Sequence, residues 1–289
     1  MRKKGVKVMM YLIGILLILI GGMIVFFQLP ISKVKTEFNQ KVDQVILKQE
    51  VVEDLPLENY FTEEDIRDLP EPLKRHCRYC GFIGMKKPSY INVDCKDVDF
   101  LLGDKKVKIN YKQYNFTKEP ERLAYISTSM MGIPFEGLDH FMQGSGGMKG
   151  VLAKTITLFN MQGEEMKKAG LVTYLSEGIL LPSFILKDYV TWEEIDEQKV
   201  KATLDYYGLK VSGVFTFGES GEALSFYTSD RRQVDEKTGT SRGVDWECVF
   251  GDYEEQDGLR LPSRIKAIWH EEERDLVYFD SNNFILTYH

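Results

Sequence analysis

A few short stretches combine residue types that could do chemistry. In HCRYC, residues 76–80, His76, Cys77 and Cys80 fall within about one helical turn, the spacing of half a zinc site or of a dithiol motif. A zinc site needs a second pair of ligands. The remaining candidates are Cys95, Cys248, His140, His270 and His289, and none stands beside another Cys or His. HCRYC therefore reads as a helix carrying two small apolar residues at i and i+3, with no metal and no cofactor expected. GSGGMKG, residues 144–150, lacks the Gly-Lys-Ser/Thr run that opens a helix in a phosphate loop, and it reads as a flexible hairpin. GESGE, residues 218–222, misses the spacing of a nucleophile elbow, and no histidine has an evident carboxylate or nucleophile partner in sequence. WEEIDE (192–197) and HEEER (270–274) hold paired carboxylates of the kind glycosidases use. At strand ends and turns, such clusters are solvated edges that discourage edge-to-edge pairing. No catalytic residue is expected, and the chain does not read as an enzyme.

The remaining stretch is apolar. EGILLPSFILKDYVTWEEID, residues 177–196, interrupts a series of strands with nearly ten residues that avoid water. Pro182 breaks any helix running through it, so the segment must bend. Exposed, it would be an association or membrane-contact site. Buried, its place is the concave face of the sheet built by the strands on either side. Leu180, Leu181, Pro182, Phe184 and Ile185 then form a plug, or the wall of a ligand hollow to which Trp192, Phe215 and Phe217 add aromatic surface.

The elements that position this segment follow from periodicity. MRKKGVK (1–7) is basic, and the uncharged run Val8–Phe27 is long enough to cross about 30 Å of hydrocarbon. It ends in FFQLPIS without a small-x-small cleavage site, so it reads as a retained anchor with its basic end in the cytoplasm. Residues 28–60 read as a juxtamembrane stalk, with Val34, Phe38, Val42 and Ile46 near helical spacing and Pro56 as its end. From 61 to 289 the chain reads as one extracytoplasmic domain. Thr62 is an N-cap candidate, Pro72 opens a helix, and Gly81 closes it. From Pro88 onward the period is two. KVKINYKQY alternates cleanly, and roughly eleven strands follow one another as an antiparallel meander. Met166, Leu171, Tyr174 and Leu175 mark one side of a helix just before the apolar segment. The fold expected is α+β and mainly β: a curved antiparallel sheet over helices, preceded by one transmembrane helix.

Composition agrees. The 289 residues are 43% hydrophobic and 28% charged, enough for a good core, and the formal charge of −7 argues against nucleic acid as the main partner. An external location permits disulfides among Cys77, Cys80, Cys95 and Cys248, whose pairing stays open, as does the oligomeric state.

Collinear motifs add a resemblance. LPEPLKRHCRYCG (69–81), the turn with Asp139, Phe141, Gly144, Gly146 and Met148, and the segment with Glu177, Leu181, Pro182 and Trp192 come in that order. The closing pair with Tyr253, Gly258, Pro262 and Ile265 completes the set. From about Phe61 to the end, the chain resembles an uncharacterised family of bacterial membrane-anchored envelope proteins. That family is similar to the lipoprotein-carrier (LolA-like) half-barrels. The resemblance implies a half-open barrel wrapped around helices and a hollow that holds an acyl chain or a lipoprotein; it carries over no catalytic residue. The other reading is a ligand-free envelope domain that binds proteins through an outer face or edge strand. A hollow above roughly 300 Å³ favours the first, and a close-packed interior favours the second.

Overall fold

The structure, a computed structural model, describes residues 2–50, 60–103, 105–235 and 238–289; the expected break at Pro56 lies outside the described residues. The chain opens with α1 (Arg2–Gln28), long and apolar enough to cross a membrane, with its apolar stretch almost wholly exposed. α2 (Lys33–Glu50) and α3 (Glu71–Cys80) follow. Then comes a meander of β1 (Tyr90–Leu102), β2 (Lys105–Phe116), β3 (Glu121–Met130), β4 (Ile133–Met142), β5 (Ser145–Leu152) and β6 (Ile156–Gln162). α4 (Glu164–Glu177), a 3₁₀ turn (Gly178–Leu180) and the single turn α5 (Pro182–Ile185) interrupt it. The strands resume with β7 (Val190–Glu194), β8 (Lys199–Tyr206), β9 (Leu209–Phe217) and β10 (Ala223–Thr228). A small hairpin, β11 (Arg232–Val234) and β12 (Ser241–Gly243), stands apart. β13 (Asp245–Gln256), β14 (Leu259–His270), β15 (Asp275–Ser281) and β16 (Phe284–Tyr288) close the chain.

One antiparallel sheet runs in the order β6-β5-β4-β3-β2-β1-β15-β14-β13-β10-β9-β8-β7. β1 serves two partners along one edge: its first half pairs with β16 and Asp99–Phe100 pair with β15, the two parts divided by an irregularity at Asp97 (φ 55°). The sheet has to roll up. α4 touches both β5 and β9. Those strands are nine places apart in the order. On a flat sheet that would be about 43 Å, against a helix about 10 Å across. The main core lies inside the roll, where α3, α4 and the segment 178–186 meet the inner faces of both halves.

Several expectations are corrected. There are more strands than eleven, because short elements carry no long alternation. GVLAKTITLFN is cut at Ala153 and Lys154, both at positive φ, and DLVYFDSNNFILTYH is cut before β16 swings onto β1. GSGGMKG is not a hairpin loop: apart from Gly144 it is the body of β5. A Cβ on Gly146 would come within 2.6 Å of the Lys167 backbone, so glycine is what lets α4 lie directly on this strand. Thr62 and Asp65 do form a reciprocal cap, Thr62 N–H to Asp65 Oδ2 at 2.7 Å and Asp65 N–H to Thr62 Oγ1 at 3.3 Å, but it closes turns rather than an α-helix.

α2 is not a free stalk. Its stripe Val34, Phe38, Val42 and Val45, with Ile46 beside it, packs on the outer face of the sheet against Phe116, Leu123, Leu138, Met142 and Val151. Glu37 pairs with Lys149 at 2.5 Å, and Lys118 Nζ donates to the Lys48 carbonyl at 2.8 Å. β3 and β4 are therefore covered on both faces.

Candidate functional site

The apolar segment answers the sequence question first. Leu180, Leu181, Pro182, Phe184 and Ile185 are all buried inside the roll. A bend that leaves the helix also leaves carbonyls without helical partners, and three side chains take them up. The His76 ring faces the Ile179 carbonyl at 3.2 Å, Tyr288 donates to Leu180 O at 2.8 Å, and Trp192 donates to Ile185 O at 3.0 Å. Phe184 sits at the centre of an aromatic group with Tyr174, Tyr189 and Trp192, and Trp192 continues to Phe215, whose neighbour is Phe217. Of the eight residues the sequence pointed to, seven join one packed core, Pro182 is buried at the bend, and Leu180 alone of the eight lines the cavity.

That cavity measures about 130 Å³ and lies between α4 and the inner faces of β1 to β5 and β13 to β16. It is below the roughly 300 Å³ of a typical ligand pocket and close to the ~150 Å³ that holds a benzene-sized group. Ile91, Val93, Ile126, Trp246, Phe279 and Phe284 give it a mainly apolar wall.

Its floor is polar. Arg122 on β3, 3% exposed, donates from Nε to Glu177 at 3.1 Å and from Nη1 to Asp139 at 2.6 Å. Its Nη2 donates to Gln113 Oε1 at 3.0 Å and to the Tyr111 hydroxyl. Gln113 and Asn115 each donate to Glu177 Oε2, at 2.6 and 3.0 Å. Burial works against the charge on Arg122, but Tyr111, Glu177 and Asp139 outweigh it and hold the guanidinium charged. Burial drives the Tyr111 hydroxyl well above its ordinary pKa. The network came from β2, β3, β4 and α4, and sequence reasoning missed it. A second cation, Arg231, lies on the cavity wall with Trp246, over whose ring it stacks at 4.7 Å; it also stands 5.5 Å from the Trp269 ring, which lies off the cavity lining, and donates to Thr173 Oγ1 at 2.6 Å.

Cys95 and Cys248 also line the cavity, on β1 and β13 with β14 and β15 between them, too far apart for a disulfide. All four cysteines are free and buried. Burial pushes the Cys77 and Cys95 thiols up to about 12 and the other two well above the usual value, so none is a ready nucleophile.

His270 does have carboxylate partners, supplied by the sheet rather than by sequence neighbours. Asp275 lies 2.8 Å away and Glu247 3.2 Å. Burial lowers its pKa, but the two carboxylates more than offset this and raise it. His76 is the opposite case. It is fully buried between the Gly221 and Ile179 carbonyls, and burial outweighs both and lowers its pKa to about 4. A depressed histidine contributes stability that is complete above its unfolded pKa near 6.5 and is lost as pH falls toward the folded value. The gap corresponds to roughly 3 kcal/mol. Urea unfolding at pH 7.5 and 4.5 should show that loss, and the His76→Gln protein should lack that share of the pH dependence. An equal slope in the two proteins would remove His76 from the account.

Residues 59–281 match DUF6544, a family of unknown function. The chain belongs to this family. No curated protein matches it. Among solved structures it is similar to a LolA superfamily protein from Nitrosomonas europaea, at 10% identity over 75% of this chain and 92% of that one, with a TM-score of 0.38. It is also similar to a DUF1329 family protein from Desulfovibrio piger ATCC 29098, at 12% identity over 75% and 91%, with a TM-score of 0.34. The DUF6544 match begins after α2 and takes in α3, the strands β1 to β15, the apolar segment and the cavity lining apart from Phe284 of β16.

Proposed function

We propose that this protein is a non-catalytic binding protein of the cell envelope, retained in the cytoplasmic membrane by α1 with its β domain outside. Its ligand is the end of an acyl chain, free or attached to a lipid or lipoprotein, taken into the cavity between α4 and the sheet. The observation that carries this reading is the cavity's make-up rather than its volume, which taken alone favours the filled alternative: an apolar wall above a polar floor in which Arg122 bridges the two carboxylates of Glu177 and Asp139. Such a floor orients a chain end without presenting a free base, and the protonated thiols present no nucleophile. The volume suits a short apolar group of about benzene size rather than a whole lipid tail. Arg231, on the wall and without a carboxylate ion pair among the described residues, suits the carboxyl or phosphate end of such a molecule.

The test is native mass spectrometry with lipid extraction, together with uptake of a fluorescent fatty-acid probe. A water-soluble form should start at Ser32 and keep α2, since removing α2 would uncover the apolar outer face of β3 and β4. A stoichiometric lipid, lost together with probe uptake in Ala267→Leu, is the expected result. Ala267 lines the cavity, and leucine there adds three carbons to it. A clean apo mass and no uptake by the unaltered protein would favour the alternative reading. In that case the roll is simply filled, and a partner binds at an open edge, β6 or β7.

A further inference from the structure

The end of α1 does not hang free of the β domain. Lys154, in the β5–β6 turn, donates from Nζ to the Leu29 carbonyl at 2.5 Å, and the same amine lies 5.7 Å from the centre of the Phe26 ring in the last turn of α1. One end of the sheet is thus fixed where the apolar run stops. Register shows which turns share that end. Ala153 N–H donates to Pro134 O at 2.8 Å, which sets the β5–β6 turn beside the β3–β4 turn. Thr128 Oγ1 donates to Lys108 O at 2.5 Å, which brings in the start of β2.

The β3–β4 turn carries an anomaly. Met131 (φ 53°) and Gly132 (φ 80°) form a two-residue turn with both residues at positive φ, a position that favours Asn or Asp before the glycine. Gln143–Gly144, Tyr207–Gly208 and Asp257–Gly258 have the same form. Their first residues are polar or, in Tyr207, hydrogen-bonded to Glu119 at 2.5 Å. Met131 instead holds out an apolar side chain that is 101% exposed, in a conformation that disfavours it. Ile133, Ile156 and Leu158 are exposed on the adjoining strands, and Leu29 and Ile31 are exposed in the link from α1. Lys105 and Lys106 stand exposed at the start of β2.

We infer that the β3–β4 and β5–β6 turns dip into the interfacial layer of the bilayer that α1 spans, with Met131 the deepest residue. Apolar side chains at a pinned membrane-proximal end, flanked by lysines that reach headgroup phosphates, are the composition of an interfacial contact. Lys154 ties the rim of this contact to the helix. The acidic β14–β15 turn, Glu271 to Arg274, belongs to the other half of the sheet, and its charge marks where the contact ends. This inference rests on α1 being a retained anchor, not on the cavity's ligand.

The full chain can test it. Every native cysteine is buried, so Met131→Cys and, at the opposite end of the sheet, Glu219→Cys can each be labelled alone with an environment-sensitive fluorophore. The proteins are then placed in nanodiscs of phosphatidylcholine and phosphatidylglycerol. Quenching by aqueous iodide should be about fivefold or more weaker at position 131 than at 219, and spin-labelled lipid should quench position 131 only. Equal iodide quenching at both positions would overturn the contact. A site shielded from iodide yet silent to spin-labelled lipid would show that a protein surface covers it, and would overturn the lipid assignment. A chain that does not enter the discs would overturn the anchor, and the contact with it.

Discussion

Replacing Arg122 with methionine should cost about 3–5 kcal/mol of folding stability, because it strands two carboxylates that have little water to turn to. Glu177 and Asp139 keep 16% and 24% of their side-chain surface exposed, and each is held to the guanidinium by a direct ion pair. Gln113 and Asn115 both donate to Glu177, but neutral donors cannot replace the lost cation. The loss belongs to the stranded charges rather than to the arginine, and this can be separated. In a background of Glu177→Gln and Asp139→Asn, the same Arg122→Met change should cost much less, because neutral amides in place of carboxylates leave no unpaired charge. Chemical denaturation at neutral pH checks both. A cost for Arg122→Met that is the same in the two backgrounds would mean that the arginine acts through packing alone and that the floor of the cavity is not an electrostatic unit.

This network also shows where sequence reading stops. The alternation of KVKINYKQYNF located β2, but not which of its faces looks inward. Both faces are covered: Tyr114 and Phe116 meet Phe38 of α2 outside, while Ile109, Tyr111, Gln113 and Asn115 face α4 inside. A signal was available. Tyr111, Gln113 and Asn115 at i, i+2 and i+4 place a polar row on one face of a strand. It became meaningful only once Arg122, Asp139 and Glu177 arrived from three other elements. The periodicity of α2 was likewise legible as a stripe, while its partner, the outer face of the sheet, was not, because a stripe carries no address. The membrane-spanning length of α1 needed no partner to be recognised, since it is a matter of length and absence of charge alone. The burial of ILLPSFIL followed from composition and Pro182. Its close packing, with Leu180 alone left on the cavity, depended on aromatic residues contributed from as far along the chain as Phe215 and Tyr288.

The packing of that segment turns on one glycine and one ring. Phe184 is fully buried, and a Cβ placed on Gly178 would stand 2.2 Å from the ring. Phe184→Ala should cost about 3–5 kcal/mol, since it removes a buried ring that Tyr174, Tyr189 and Trp192 surround and that backbone relaxation cannot refill. Gly178→Ala should cost about 1–3 kcal/mol for the opposite reason, overpacking, because Gly178 has an ordinary helical φ of −58° and no backbone strain is involved. The two changes touch the same few cubic ångströms, so they should not add. With the ring gone, the new methyl group enters the space the ring has left, and the doubly substituted protein should be more stable than the sum of the single costs implies, by about 0.5–3 kcal/mol. Urea midpoints of the four proteins measure this coupling directly. A coupling near zero would mean that the ring is not seated on Gly178, and the bend at Pro182 would then have to be held by its hydrogen bonds to His76, Tyr288 and Trp192 alone.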